Sequence, residues 1–261
     1  MAIPQPIDIL PLWGVYLLTV LIALLAAEAG YQLGKALRRR SIQEKEGTLG
    51  SQVGASLAML AFLLAFFTGI AANRFDARRQ LIVDEANAIG TTYLRAGYLE
   101  EPYRTEIRSL LREYVDVRLA ASDREKLQSA LSRSEQIHAE LWTRAEGVAK
   151  SNSQPVMASI FIQSLNDVID LHTKRVAAAG ARIPFTIWLG IFLVMGFAML
   201  LVGFHNSFYG RHQIIATLVL VMAFSAVILL IADLDHSTEG LLTVSQQPLI
   251  DLQRQLNVTS P

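Results

Sequence analysis

The chain contains no cysteine. That single absence removes disulfides, thiolate metal ligands and a cysteine nucleophile from consideration. It also lacks an excess of either charge, with 23 Lys and Arg balanced by 23 Asp and Glu. With no basic surplus and no RNA- or DNA-binding motif, a nucleic-acid partner is not expected. Enzyme signatures are missing as well: no HExxH, Gly-x-Ser-x-Gly, phosphate loop or dinucleotide fingerprint occurs. The serines have no His and acid partners at a recognisable spacing. Neither a catalytic role nor a cofactor is therefore expected. Charge itself is scarce, at 18% of residues against 52% hydrophobic. Such a chain is too oily for an ordinary soluble domain and too charged for membrane spans alone.

What is present in quantity is long apolar runs. A helix needs roughly 20 apolar residues to cross the hydrocarbon. Four stretches free of Asp, Glu, Lys and Arg approach that length: Ile9 to Ala27, Gln52 to Asn73, Ile183 to Phe204, and Gln213 to Ala232. These predict four transmembrane helices. The preceding MAIPQPID has no basic n-region, so the first run reads as a retained anchor rather than a cleavable signal.

Between the second and third spans the pattern is polar but still helical. Phe75, Ile82, Ala86, Ile89 and Tyr93 keep one apolar face, while Asp76, Gln80, Asp84, Asn87 and Thr91 lie on another. The second span is thus expected to continue as a helix past the membrane. LEEP, Leu99 to Pro102, interrupts it, and Pro102 suits the start of the next helix. Ile107, Leu110, Leu111 and Tyr114 mark that helix. Ser122 and Glu125 resemble a capping box opening another, with Leu127, Leu131, Ile137, Leu141 and Val148. SNSQP, Ser151 to Pro155, precedes a last helix with Ile160, Phe161, Leu165, Val168 and Ile169 that runs through Lys174 and Arg175 to Gly180. The fold class expected is all-α: four spans, with an extramembrane helical bundle between the second and third. The domain boundaries are residues 1–73 for the first two spans, 74–182 for the bundle, 183–234 for the last two spans, and 235–261 for a mildly amphipathic tail around Leu249, Leu252 and Leu256.

Several residues stand out as candidates for function. Gly54, Ala58, Ala61, Ala65, Gly69 and Ala72 form a small-residue stripe along the second span, which lets helix backbones approach closely, within the chain or between subunits. Leu60, Leu63, Phe67 and Ile70 lie beside it and would form a dewetting constriction if they faced a symmetry axis. At the end of the span comes RFDARR. Arg74, Arg78 and Arg79 suit phosphate headgroups, or in an oligomer a positive ring that concentrates anions. Asp76, Asp84 and Glu85 offset part of that charge and suggest intrahelical or intersubunit ion pairs. Glu28, near the end of the first span, is an acid at membrane depth, or one that snorkels to the interface beside Tyr31 and Lys35. Asp233, Asp235 and His236 close the fourth span, and His205 and His212 bracket the turn before it. A helix's length apart, the two groups cannot share one site, and the aspartates read as helix-ending or interface residues. His138 and His172 stand alone on polar helices.

Two stretches carry a family resemblance: ANRFDARRQLIVDEANAIGTTYLRA after the second span and ADLDHSTEGLLTVSQQPLIDLQ after the fourth. With the four-span layout, they resemble the bestrophin-like domain family of bacterial membrane proteins, which is distantly similar to the pentameric bestrophin anion channels. The resemblance implies a second span that lines a pore with a narrow hydrophobic neck. It falls on LAFLLAFFTGIAANRF and makes Leu63, Phe66, Phe67 and Ile70 neck candidates. No acidic calcium-clasp motif is present, so calcium gating is not implied.

The leading expectation is therefore an oligomeric ion channel or pore, conducting anions, in the bacterial plasma membrane, pentameric if bestrophin-like, with lipid and inorganic ions as its partners. The alternative is a non-conducting sensor or scaffold whose bundle binds a protein. Sidedness stays open. Lys35, Arg38, Arg39, Arg40 and Lys45 pull the first loop to the cytoplasm, whereas Arg74, Arg78, Arg79, Lys174, Arg175 and Arg182 pull the bundle there too, as would a bestrophin-like arrangement.

Overall fold

The computed structural model describes residues 11–39, 46–123, 125–151, 155–208, 213–236 and 240–258. Ile9, Arg40, Lys45, the centre of SNSQP and His212 lie outside these residues. Every regular element among those described is an α-helix: α1 (Leu12–Arg39), α2 (Glu46–Ala96), α3 (Tyr103–Ala120), α4 (Leu127–Ser151), α5 (Pro155–Gly180), α6 (Phe185–Phe208), α7 (Ile214–Asp235) and α8 (Gln247–Val258). Four described helical stretches are long and apolar enough to cross a membrane, Leu12–Arg39, Leu49–Ala96, Pro155–Phe208 and Ile214–Asp235. In the third of these the charge-free run falls on α6.

The chain divides into two compact units, Met1–Phe75 with Ala181–Leu242, and Asp76–Gly180 with Thr243–Pro261. In the first unit α1 packs along α6 and, less extensively, α7. Glycine makes the α1–α6 approach possible: a Cβ at Gly203 would overlap the Ala27 carbonyl oxygen, and one at Gly30 would overlap that of Leu200. Close backbone contact of this kind maximises dispersion where lipid offers no hydrophobic drive between helices. The core is completed by Leu60, Leu64 and Ala71 of α2, Trp188 and Met195 of α6, and Ile228 and Ile231 of α7. Arg38 donates to the Ser207 carbonyl at 2.6 Å, satisfying a C-terminal acceptor of α6.

The second unit follows the ordinary rule of apolar residues inside. Ile82, Ile89 and Tyr93 of α2 pack with Ile107 and Leu111 of α3, Ile137 and Leu141 of α4, and Phe161 and Leu165 of α5. The segment after the fourth span contributes as well, because Leu249, Leu252 and Leu256 of α8 enter the same core. Between α3 and α4 the capping box does not form. Ser122 Oγ instead donates back to the Leu119 carbonyl, and the Glu125 amide donates to Asp123 Oδ1. Asp123 is the better local acceptor because an ionised carboxylate outcompetes a hydroxyl for an amide hydrogen.

Candidate functional site

The second span is the least covered of the four within the subunit. Over its most apolar window only 11% is buried, against 22%, 39% and 22% for the others. One face, carrying Leu60, Leu64 and Ala71, is held in the core of the first unit, with Leu57, Phe67, Ala72 and Phe75 packed against it. The small-residue stripe lies on an uncovered face: Gly54, Ala58, Ala61, Ala65 and Gly69 are all exposed. Around Gly54 and Gly69 there is open space where a Cβ would stand. Ala72, the last of the stripe, is the member that packs against the unit's core.

The neck candidates divide. Phe66 is exposed, Leu63 and Ile70 are half-buried, Phe67 leans on the unit's core, and Leu60 is wholly inside it. Phe66 and Phe67 meet edge to face at 5.6 Å. Two exposed residues not singled out in the sequence, Met59 and Phe62, extend the Phe66 face upward at 55% and 70% exposure, with Phe66 at 57%. Their spacings of three and four place all three on one side of a helix, and that periodicity was the signal available for finding them.

The charges after the span also separate. Arg74 reaches Asp235 at 3.7 Å. Asp235, almost fully buried at the end of α7, also takes Arg182 at 3.1 Å and the Ile183 amide at 3.0 Å. One carboxylate thus ties the exit of α2 and the approach to α6 to the end of α7. Asp233 accepts the amides of Leu241 and Leu242 at 2.8 and 3.1 Å. Asp76 and Arg79 are exposed, Arg78 is buried, and Asp84 accepts from Gln80 at 2.9 Å. In α1, Glu28 is exposed and accepts from Gln32 at 2.5 Å.

Glu85 makes neither the intrahelical contact its neighbours suggest nor a surface pair. It is completely buried in the second unit, on the α2 face that also holds Ile82, Ala86 and Ile89. Arg175 of α5 donates to its Oε2. Arg118 of α3 stands 3.0 Å from Oε1 without hydrogen-bond alignment, so that attraction is chiefly Coulombic. The Tyr114 hydroxyl donates to Oε1 at 2.8 Å and lies 3.2 Å from His172 Nδ1. Arg175 also donates to the Gln246 side chain at 2.7 Å, bringing in the segment before α8. His138 completes the group, its ring 4.8 Å from that of His172 and 4.9 Å from that of Tyr114. The two histidines that stand alone in the sequence are therefore in contact.

Burial by itself would raise the Glu85 carboxyl, but the charges of Arg118 and Arg175 and the hydrogen bonds from Arg175 and Tyr114 outweigh it, holding the group below the usual carboxylate range. Burial, reinforced by the Glu85 charge, pushes the Tyr114 phenol well above its ordinary value. Both histidines are pulled down to about 4, mainly by burial, with the Arg118 charge adding to the effect. At neutral pH the cluster holds one carboxylate, two guanidiniums, a neutral phenol and two neutral imidazoles. No group of His, Asp and Glu among the described residues has the arrangement of a metal site.

Residues 17–249 match the family model for the Bestrophin-like domain. The chain belongs to that family. Its fold is that of solved bestrophin homologues. A bacterial bestrophin homologue from Klebsiella pneumoniae superposes with a TM-score of 0.68 at 14% identity, covering 96% of this chain and 100% of the other. A point variant of a Klebsiella pneumoniae bestrophin homologue gives 0.69 at 15% identity, covering 96% and 99%. A structure described as a membrane protein variant gives 0.68 at 15% identity over 94% and 97%. At such identities it is the Bestrophin-like fold that is shared. Among curated proteins no sequence match reaches significance.

Proposed function

We propose that this protein is an oligomeric bestrophin-type ion channel of the bacterial plasma membrane, with α2 lining the pore and anions as the permeant species. The observation that carries the reading is the uncovered state of α2. Its small-residue stripe suits close approach by another subunit, and the adjacent Met59, Phe62 and Phe66 face offers large apolar side chains for a dewetting constriction around an axis. Leu63 and Ile70, half-buried on the flank of that face, complete the neck in this arrangement. Below it, the RFDARR run brings three guanidiniums from each subunit against Asp76 and, at Arg74, Asp235, an excess of positive charge that favours anions in a narrow low-dielectric passage. The second unit lies outside the membrane as a helical bundle, and membrane lipid covers the exposed leucines of α1. A fivefold ring is the assembly implied by the family.

Native mass spectrometry of the protein in mild detergent, followed by chloride flux from proteoliposomes, tests this reading. A pentamer that conducts, with flux changed several-fold by Phe66→Ala while the subunit count is unaltered, is the expected outcome. A monomer or dimer in several detergents, or a ring without flux, overturns it and leaves a scaffold whose second unit binds a protein partner.

A further inference from the structure

The second unit has a feature that conduction does not require. Two histidines, with exposures of only 9% and 6%, meet edge to face inside a helical core. Among the described residues His138 Nε2 has no hydrogen-bond partner, and His172 has the Tyr114 hydroxyl. The cluster draws on four helices of the core, Glu85 from α2, Tyr114 and Arg118 from α3, His138 from α4, and His172 and Arg175 from α5, with the neutral Gln246, from the segment before α8, on Arg175. Arg78 is also buried on α2, two turns before Glu85 on the same side of the helix. The fixed charges in contact are two guanidiniums against one carboxylate. A proton on either imidazole adds a third positive charge to a region already unbalanced in that sense, and among the described residues no second carboxylate contacts the cluster to receive it.

We propose that the His138–His172 pair is an acid-operated release within the second unit, whose protonation separates α4 and α5 from α2 and α3. This holds whether or not the protein conducts ions. In the closed unit the rings stay neutral until the pH approaches 4, whereas in an opened unit they take a proton near 6.5. A base whose folded value is depressed costs nothing above its unfolded value. Its penalty appears as the pH falls below 6.5 and is complete near 4. Glu85 titrates in the opposite relation: its contribution is intact above 4.5 and is lost only below that. The interval between pH 7 and 5 therefore isolates the histidines. Linkage gives a rise in the open fraction of about 30-fold per ring between pH 7.5 and pH 5.

Hydrogen exchange of the full-length protein in detergent, corrected for the pH dependence of intrinsic exchange, reads this directly. Peptides from α4 and α5 should lose protection between pH 7.5 and pH 5 by at least the 30-fold expected of one ring, while peptides from α1 and α6 change little. The double substitution His138→Phe with His172→Gln should abolish most of that response. Unchanged α4 and α5 protection in the unsubstituted protein overturns the proposal, and so does an equal acid response in the double variant. Should that variant not fold, ring titration by NMR in the unsubstituted chain decides. Two of its five histidines must remain neutral at pH 5.5, and titration of all five near 6.5 overturns the idea.

Discussion

The two units of this chain differ in what they leave outside and in how their helices approach. The first buries Ala23, Ala27, Gly30, Ala71 and Gly203 beside large residues such as Trp188, Met195 and Ile228, and leaves many other large apolar residues, among them Leu21, Leu25, Phe62, Phe197 and Ile215, exposed. The second puts Ile107, Leu111, Tyr114, Phe161 and Leu165 inside and faces the solvent with residues such as Arg133, which bridges Glu113 and Glu140 at 2.7 and 2.8 Å. Hydrocarbon solvates a leucine as well as a protein core does, so in the first unit cohesion has to come from close approach of backbones and a few polar ties such as Asp235. Where water is the alternative, a leucine gains by burial alone, and an apolar core such as that of the second unit can use the surplus to hold an ion cluster that by itself is not a source of stability.

That contrast predicts which substitutions hurt which unit. Glu85→Ala should have the largest effect, because it leaves Arg118 and Arg175 buried without a counter-charge. A loss of about 3–5 kcal/mol is expected, read as faster exchange in α3 to α5 with α1 and α6 unaffected. A loss shared equally by both units would break the comparison. Gly203→Leu comes next. Its Cβ has no room beside Ala27, and overpacking of about 1–3 kcal/mol should loosen α1 from α6 and lower the melting temperature in detergent, while the His138 and His172 environment stays as it was. Tyr114→Phe should be the mildest. It removes the hydroxyl between Glu85 and His172 but keeps the packed ring, for about 1 kcal/mol, detectable as a small shift in the denaturation midpoint of the second unit.

The spans were legible because each is a charge-free run long enough to cross a bilayer, a signal that needs no tertiary information. The predicted second run, Gln52 to Asn73, falls inside α2, and the helical rhythm from Ile82 to Tyr93 foretold that α2 would continue to Ala96. The breaks at LEEP and SNSQP were equally local and separate α2 from α3 and α4 from α5. Glu85 was not read correctly in the same way. Its partners Arg118 and Arg175 lie 90 residues away in the farther case, and spacing along one helix says nothing about charges on another. A partial signal existed, since Glu85 shares the stripe of Ile82 and Ile89, and His138 and His172 follow the stripes of Leu141 and Val168. A polar residue on an apolar stripe is the mark of a buried polar group, and here three such residues meet.

The contribution of α8 also orders events during synthesis. Leu249, Leu252 and Leu256 complete a core whose other walls end at Gly180. A ribosome adds residues at about 5–20 per second, so the second unit waits on the order of 10 s, while α6 and α7 are made, before its last wall emerges. During that interval the surface that α8 covers, on α3 among others, stands open.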